Sequence, residues 1–146
     1  DDEGDQIWLL EVNTRISQSH SPLFIDVAGA SHHEVAIDIA LGLRPSFPRW
    51  EGPHQVAVKF MLRRYEDAIV THVPTAAEME ALEDAFPGAL IRIEVEEGER
   101  LSDLRGQDAY SYEVAVIFLG GPSHDRVQSL YDELVERLPL SFRPID

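Results

Sequence analysis

From residue 55 onward the hydrophobic positions switch between a period of two and a period near 3.6. Val56, Val58, Phe60 and Leu62 recur at every second residue and predict a strand over Gln55–Tyr65. Ala68–Val73 predicts a second strand, after a turn at Glu66-Asp67. Thr75–Phe86 predicts a helix. Thr75 and Glu78 have capping-box spacing, Met79, Leu82 and Phe86 form an apolar stripe, and Pro87-Gly88 stops the run. A strand is expected over Ala89–Glu96, a turn at Glu97-Gly98, and an apolar strand over Tyr112–Leu119 that Gly120-Gly121 ends. The clearest helix covers Ser123–Leu138, with Val127, Leu130, Tyr131, Leu134, Val135 and Leu138 on one face. Leu140–Ile145 predicts a last edge strand. The order β-β-α-β-β-α-β predicts an α+β fold, a mainly antiparallel sheet with helices on one face.

The first part of the chain reads differently. Ile7–Asn13 is a short apolar run with strand character, and Asp2-Glu3-Gly4-Asp5 ahead of it has the composition of a hairpin turn. A hairpin turn requires a strand before it, so the sequence is expected to be cut from a longer protein; a frayed or processed acidic terminus is the alternative. Ser31–Leu43 predicts a helix with a Ser31/Glu34 capping box and an apolar stripe of Val35, Ala36, Ile39, Ala40 and Leu43. Pro45 and Pro48 end it, and Ser46–Pro53 reads as a connector. Two units are expected, 1–45 and 46–146.

Composition narrows the function classes. The 146 residues are 44% apolar and 27% charged, as in an ordinary globular domain. There is no cysteine, which excludes a disulfide scaffold, a cysteine nucleophile and a thiolate metal site. No apolar run reaches 18 residues, and the opening Asp-Asp-Glu-Gly-Asp is not that of a signal peptide. Acidic residues outnumber basic ones 27 to 12, a formal net charge of −15. Such a surface repels phosphate backbones and anionic lipid, so neither nucleic acid nor membrane is expected as a partner, and the expected setting is cytoplasmic.

Candidate chemistry lies at Glu11-Val12-Asn13-Thr14-Arg15. On an extended chain Glu11, Asn13 and Arg15 project from one face, with Trp8, Leu10 and Val12 on the other. A carboxylate and an amide oxygen are hard ligands of the kind Mg²⁺ takes, and a guanidinium can grip a phosphate or carboxylate in a fork. Taken alone, the spacing more often marks a polar strand end at the surface.

The wider order is Asp-x-x-Gly, an apolar strand, Glu11-x-Asn13-x-Arg15, then Ser17-Gln18-Ser19-His20, then a capped helix ending at Leu41-Gly42. It resembles the C-terminal end of an ATP-grasp domain, in the biotin carboxylase and carbamoyl-phosphate-synthase branch. The resemblance covers residues 1 to about 45 and extends to 46–146 as the small C-terminal domain of biotin carboxylases. It implies that Glu11 and Asn13 bind Mg²⁺ on the phosphates of ATP, that Arg15 contacts the activated substrate, and that His20 and Arg92 belong to the same site. Where biotin carboxylases carry Gln-x-Glu-His, this chain has Ser17-Gln18-Ser19-His20, so Ser19 replaces the carboxylate that acts on bicarbonate. Their Tyr-Asp-Ser-x-x-x-Lys is not reproduced around Tyr110–Val116 either. The implied function is therefore the wider one of the superfamily, an ATP-dependent carboxylate–amine or carboxylate–thiol ligase acting through an acyl phosphate. The substrates implied are a small carboxylate and an amine or thiol, and these residues alone are expected to be inactive. The alternative is a non-catalytic α+β module for interaction or homodimerisation.

Other candidates point to bland roles. His32 and His33 are adjacent on a helix, about 100° apart around its axis, which is poor geometry for chelation even with Glu34 and Asp38 nearby. Ser123-His124-Asp125 cannot align as a hydrolase triad from adjacent positions. Arg63-Arg64 reads as a solubilising edge, with a phosphate contact as the other option.

Overall fold

A computed structural model of the chain describes residues 8–12, 15–107 and 110–145. Their strands are β1 (Val56–Arg64), β2 (Ala68–His72), β3 (Leu90–Ile93), β4 (Tyr112–Gly121) and β5 (Ser141–Pro144). Their α-helices are α1 (Ser21–Ala28), α2 (His32–Ala40), α3 (Ala76–Ala85) and α4 (His124–Arg137). The fold is α+β, and every strand pairing is antiparallel. One sheet has the order β1-β4-β3; a second pairs β2 with β5.

The central sheet and its helices form as their periodicity dictates. Phe60 faces Ile117 across the β1–β4 ladder, and Ile91 faces Ile117 from the other side. These residues join Leu82 and Phe86 of α3 and Val127 and Leu134 of α4 in one apolar cluster. Phe60 and Tyr131 stack with ring centroids 4.0 Å apart, which fixes α4 on β1. Both helices start on side-chain caps: Thr75 with Glu78 for α3, and Ser123, whose hydroxyl accepts from the Arg126 amide, for α4. Ser123 is thus a helix cap.

β2 leaves the central sheet. It lies between β5 and the segment around residues 98–100, where the Val70 amide donates to the Glu99 carbonyl at 2.8 Å. Ala68, Val70, Val95, Leu101 and Val114 fill a second cluster there. The predicted edge strand at the C-terminal end is real, and its partner is β2.

Gly120 lies inside β4, which ends only at Gly121. The two glycines pair with Ala57 and Val56 in the ladder. Glycine is needed at 120 because a Cβ there would strike the His54 imidazole.

The first part of the chain departs further from expectation. Residues 8–12 take no strand conformation, and no described strand pairs with them; Ile7 and Asn13 lie outside the described residues. An apolar run becomes a strand only when a neighbour accepts its backbone hydrogen bonds. α2 forms with the expected Ser31/Glu34 capping box, yet none of its residues is buried. Of its stripe, Val35 and Ala36 are half-buried, while Ile39 is 61% and Leu43 56% exposed.

α1 is absent from the sequence reading. Its signals are Pro22 in the first turn and Gly29 past the end, at φ 87°, whose amide donates to the Ile25 carbonyl. It lies against β1 and β4. Val116 and Phe118 point away from the α3/α4 cluster, by the alternation of β4, and are still buried. α1 is the helix that approaches these strands without belonging to that cluster.

Candidate functional site: a groove beside the first helix

The groove is built by the way the connector returns to α1. The Gly52 amide donates to the Val27 carbonyl at 3.1 Å, and the His54 amide donates to the Asp26 carbonyl at 3.0 Å. Only glycine fits at 52, because a Cβ there would lie 2.6 Å from the Asp26 carbonyl carbon. Two residues before it, Trp50 sits at φ 60°, a left-handed conformation that is rare for a bulky side chain. Burial raises the Asp26 carboxyl above the ordinary carboxylate range, and the charge of His54 acts in the opposite direction.

This crossing leaves a cavity of about 590 Å³ between α1 and the connector. Leu23, Phe24 and Val27 line it on the helix side, and Phe47 and Trp50 on the connector side. Phe24 meets Phe47 edge to face at 6.0 Å, and meets His32 of α2 at 4.9 Å on another side. The His32 ring stacks on His33 at 4.9 Å, and both of its nitrogens are buried with no hydrogen-bond partner among the described residues.

Among the described residues, two polar side chains line the groove, His20 and Arg49. His20 ends a turn of 3-10 helix over Gln18–His20. Its Nδ1 hydrogen-bonds the Ser17 hydroxyl at 2.5 Å and lies 3.2 Å from that of Ser19. Ser19, which stands where the resemblance expects a carboxylate, thus helps to hold the imidazole. Arg49 is exposed and makes no ion pair or hydrogen bond among the described residues.

The residues singled out from sequence are distributed as follows. Glu11 and Arg15 are exposed on the irregular segment before α1. Asn13 lies outside the described residues. His20 borders the groove, and Arg92 is on β3, where its guanidinium pairs with Glu94. Among the described residues no group of three or more His, Asp or Glu side chains is placed to hold a metal ion. That applies to Glu11 and to the His32-His33-Glu34 run alike, so the described residues do not make a magnesium shell by themselves. Arg63 donates to the Ser111 hydroxyl at 2.8 Å and pairs with Glu113 at 3.4 Å, and the Arg64 guanidinium lies 4.4 Å from the Phe142 ring centroid. Both arginines therefore tie the sheet edge to its neighbours. No described helix is long and apolar enough to cross a membrane.

Sequence reasoning missed the groove residues Phe24, Phe47, Arg49 and Trp50. The Pro22/Gly29 pair could have located α1, and the Pro48-Arg49-Trp50-Glu51-Gly52 turn its neighbour. Nothing local states that they meet. No protein-family model matches the chain, and neither a curated protein nor a solved structure does.

Proposed function

We propose that the chain is the C-terminal part of an ATP-dependent carboxylate–amine or carboxylate–thiol ligase, working through an acyl phosphate with ATP and Mg²⁺, and that it supplies one wall of the site. One observation carries this reading: Glu11, Arg15 and His20 are all exposed on one short segment, beside apolar side chains that the described chain leaves uncovered. Trp8, Leu9, Leu10 and Val12 are between 71% and 93% exposed. Apolar surface of this extent marks a contact with another unit. On this reading that unit completes the metal and nucleotide site. Bound there, Mg²⁺ would neutralise charge on the phosphates.

The roles of the chain's own residues follow from their chemistry. The Arg15 guanidinium offers a planar fork to an anionic substrate oxygen. His20, held at Nδ1 by Ser17 and Ser19, presents Nε2. Arg92, occupied by Glu94, contributes less than Arg15.

A second reading, a non-catalytic interaction or homodimerisation module, is favoured by the apolar residues that α2 leaves exposed. The test is ATP hydrolysis dependent on a carboxylic acid and an amine, in the gene product that contains these residues. Glu11→Gln and Arg15→Lys should each lower turnover by about tenfold or more. Full turnover in both variants overturns the site assignment. Absence of any acid-dependent hydrolysis, with a stable dimer in solution, replaces the ligase by the module.

A further inference from the structure

We propose that the groove between α1 and the connector binds a monocarboxylate with an apolar or aromatic body. The cavity of about 590 Å³ is within the size range of small-molecule sites, which runs from about 300 to 1,000 Å³. Its walls are aromatic and aliphatic. Such a lining takes up an acyl chain or a ring by removing apolar surface from water.

The headgroup is assigned by charge. Arg49 borders the apolar groove and makes no ion pair or hydrogen bond among the described residues. A carboxylate is its bidentate complement. His20 is the other polar group at the groove. Serine hydroxyls occupy its Nδ1, so Nε2 is the nitrogen left to meet a ligand oxygen. A net charge of −15 penalises a dianion more than a monoanion, which selects a carboxylate over a phosphate monoester. Trp50 completes the fit. It is 76% exposed, so one face of the indole is free to cover a ligand, and the neighbouring Gly52 crossing fixes its backbone against α1.

The site shares His20 with the ligase reading but involves neither nucleotide nor metal, and its test reads Arg49 and Trp50, so its failure and that of the ligase reading are distinguishable. The test titrates the chain with octanoate, octanol, octylamine and octyl phosphate, followed by calorimetry and tryptophan fluorescence. Octanoate should bind saturably and shift the emission. Octanol and octyl phosphate should bind about tenfold more weakly, and octylamine more weakly still. Trp8→Phe should keep the fluorescence response and Trp50→Phe should abolish it. Arg49→Gln should weaken octanoate by about tenfold and leave octanol unchanged, while Arg105→Gln, at a turn on the far part of the chain, changes neither. Equal binding of octanol and octanoate, tighter binding of octyl phosphate, or full octanoate affinity in Arg49→Gln would each overturn the assignment.

Discussion

The amide of Gly52 donates to the carbonyl of Val27 at 3.1 Å, and through that bond the connector is pressed onto the end of α1. A side chain at 52 would collide with the Asp26 carbonyl, which is backbone and cannot rotate away. Gly52→Ala should therefore cost about 1–3 kcal/mol and disrupt the groove. Gly88 is the control. It has φ 86° but open space around it, so Gly88→Ala meets only the backbone penalty and should cost about 1 kcal/mol. Urea denaturation of both variants checks the order; equal losses would mean that the crossing at 52 relaxes freely.

His32 carries two buried ring nitrogens with no described partner. Leaving a buried polar group unsatisfied costs about 1–3 kcal/mol, whereas an apolar side chain of similar size carries no such cost. His32→Leu should keep or raise the melting temperature. A clear drop would show that the imidazole makes a hydrogen bond, through water, that is worth more than its burial costs.

Thr75 caps α3. Its hydroxyl accepts from the Glu78 amide at 3.3 Å, and the Glu78 carboxylate accepts from the Thr75 amide at 2.8 Å. Thr75→Ala should destabilise the chain by about 1 kcal/mol, and Thr75→Ser should restore nearly all of it. Thermal melts of the pair test this, since a merely steric role for the threonine methyl would leave serine as poor as alanine.

Two carboxylates contribute to the acid limb of stability. At Asp67, partial burial favours the neutral form, but the Arg100 guanidinium and the Ser102 amide outweigh it and hold the carboxyl below its ordinary range. At Glu78 the Thr75 amide and hydroxyl lower it in the same direction. A group whose folded value lies below its unfolded value stabilises the fold above the unfolded value, and that contribution is lost as pH falls through the folded one. Melting temperature should therefore fall below about pH 4, less steeply in the Asp67→Asn/Glu78→Gln double variant. Asp26 has the opposite sign. Its raised value makes protonation favour the fold, so Asp26→Asn should help at neutral pH and lose that advantage in acid. Identical acid slopes in wild type and the double variant would remove Asp67 and Glu78 from this account.

Elements that pack through their own period were legible from sequence. α3 and α4 carry their stripes and caps within a dozen or so residues, and β1 alternates cleanly, so local chemistry and the core agree. What could not be read depended on partners distant in sequence. β2 looks like a hairpin partner for β1 but pairs with β5, about 70 residues away. Gly120 reads as a stop signal, and only the His54 ring beside it explains why it lies within a strand. The α2 stripe has the right period for burial, yet no residue of α2 is buried. The groove has the same origin: Phe24 and Phe47 meet because Gly52 lets two backbones touch, a fact carried by neither aromatic residue. Of the described residues chosen for chemistry, only His20 borders the groove.

The position of α1 against β1 and β4 governs how the chain can be shortened. A truncation starting at the connector would keep all five strands and both well-packed helices, yet it would uncover Val116 and Phe118 in the middle strand of the sheet. That bare face, bordered by the half-exposed Met61, would be a sticky plane suited to self-association. The smallest piece that stays monodisperse should start ahead of Ser21, so that the helix acts as a built-in lid over the sheet.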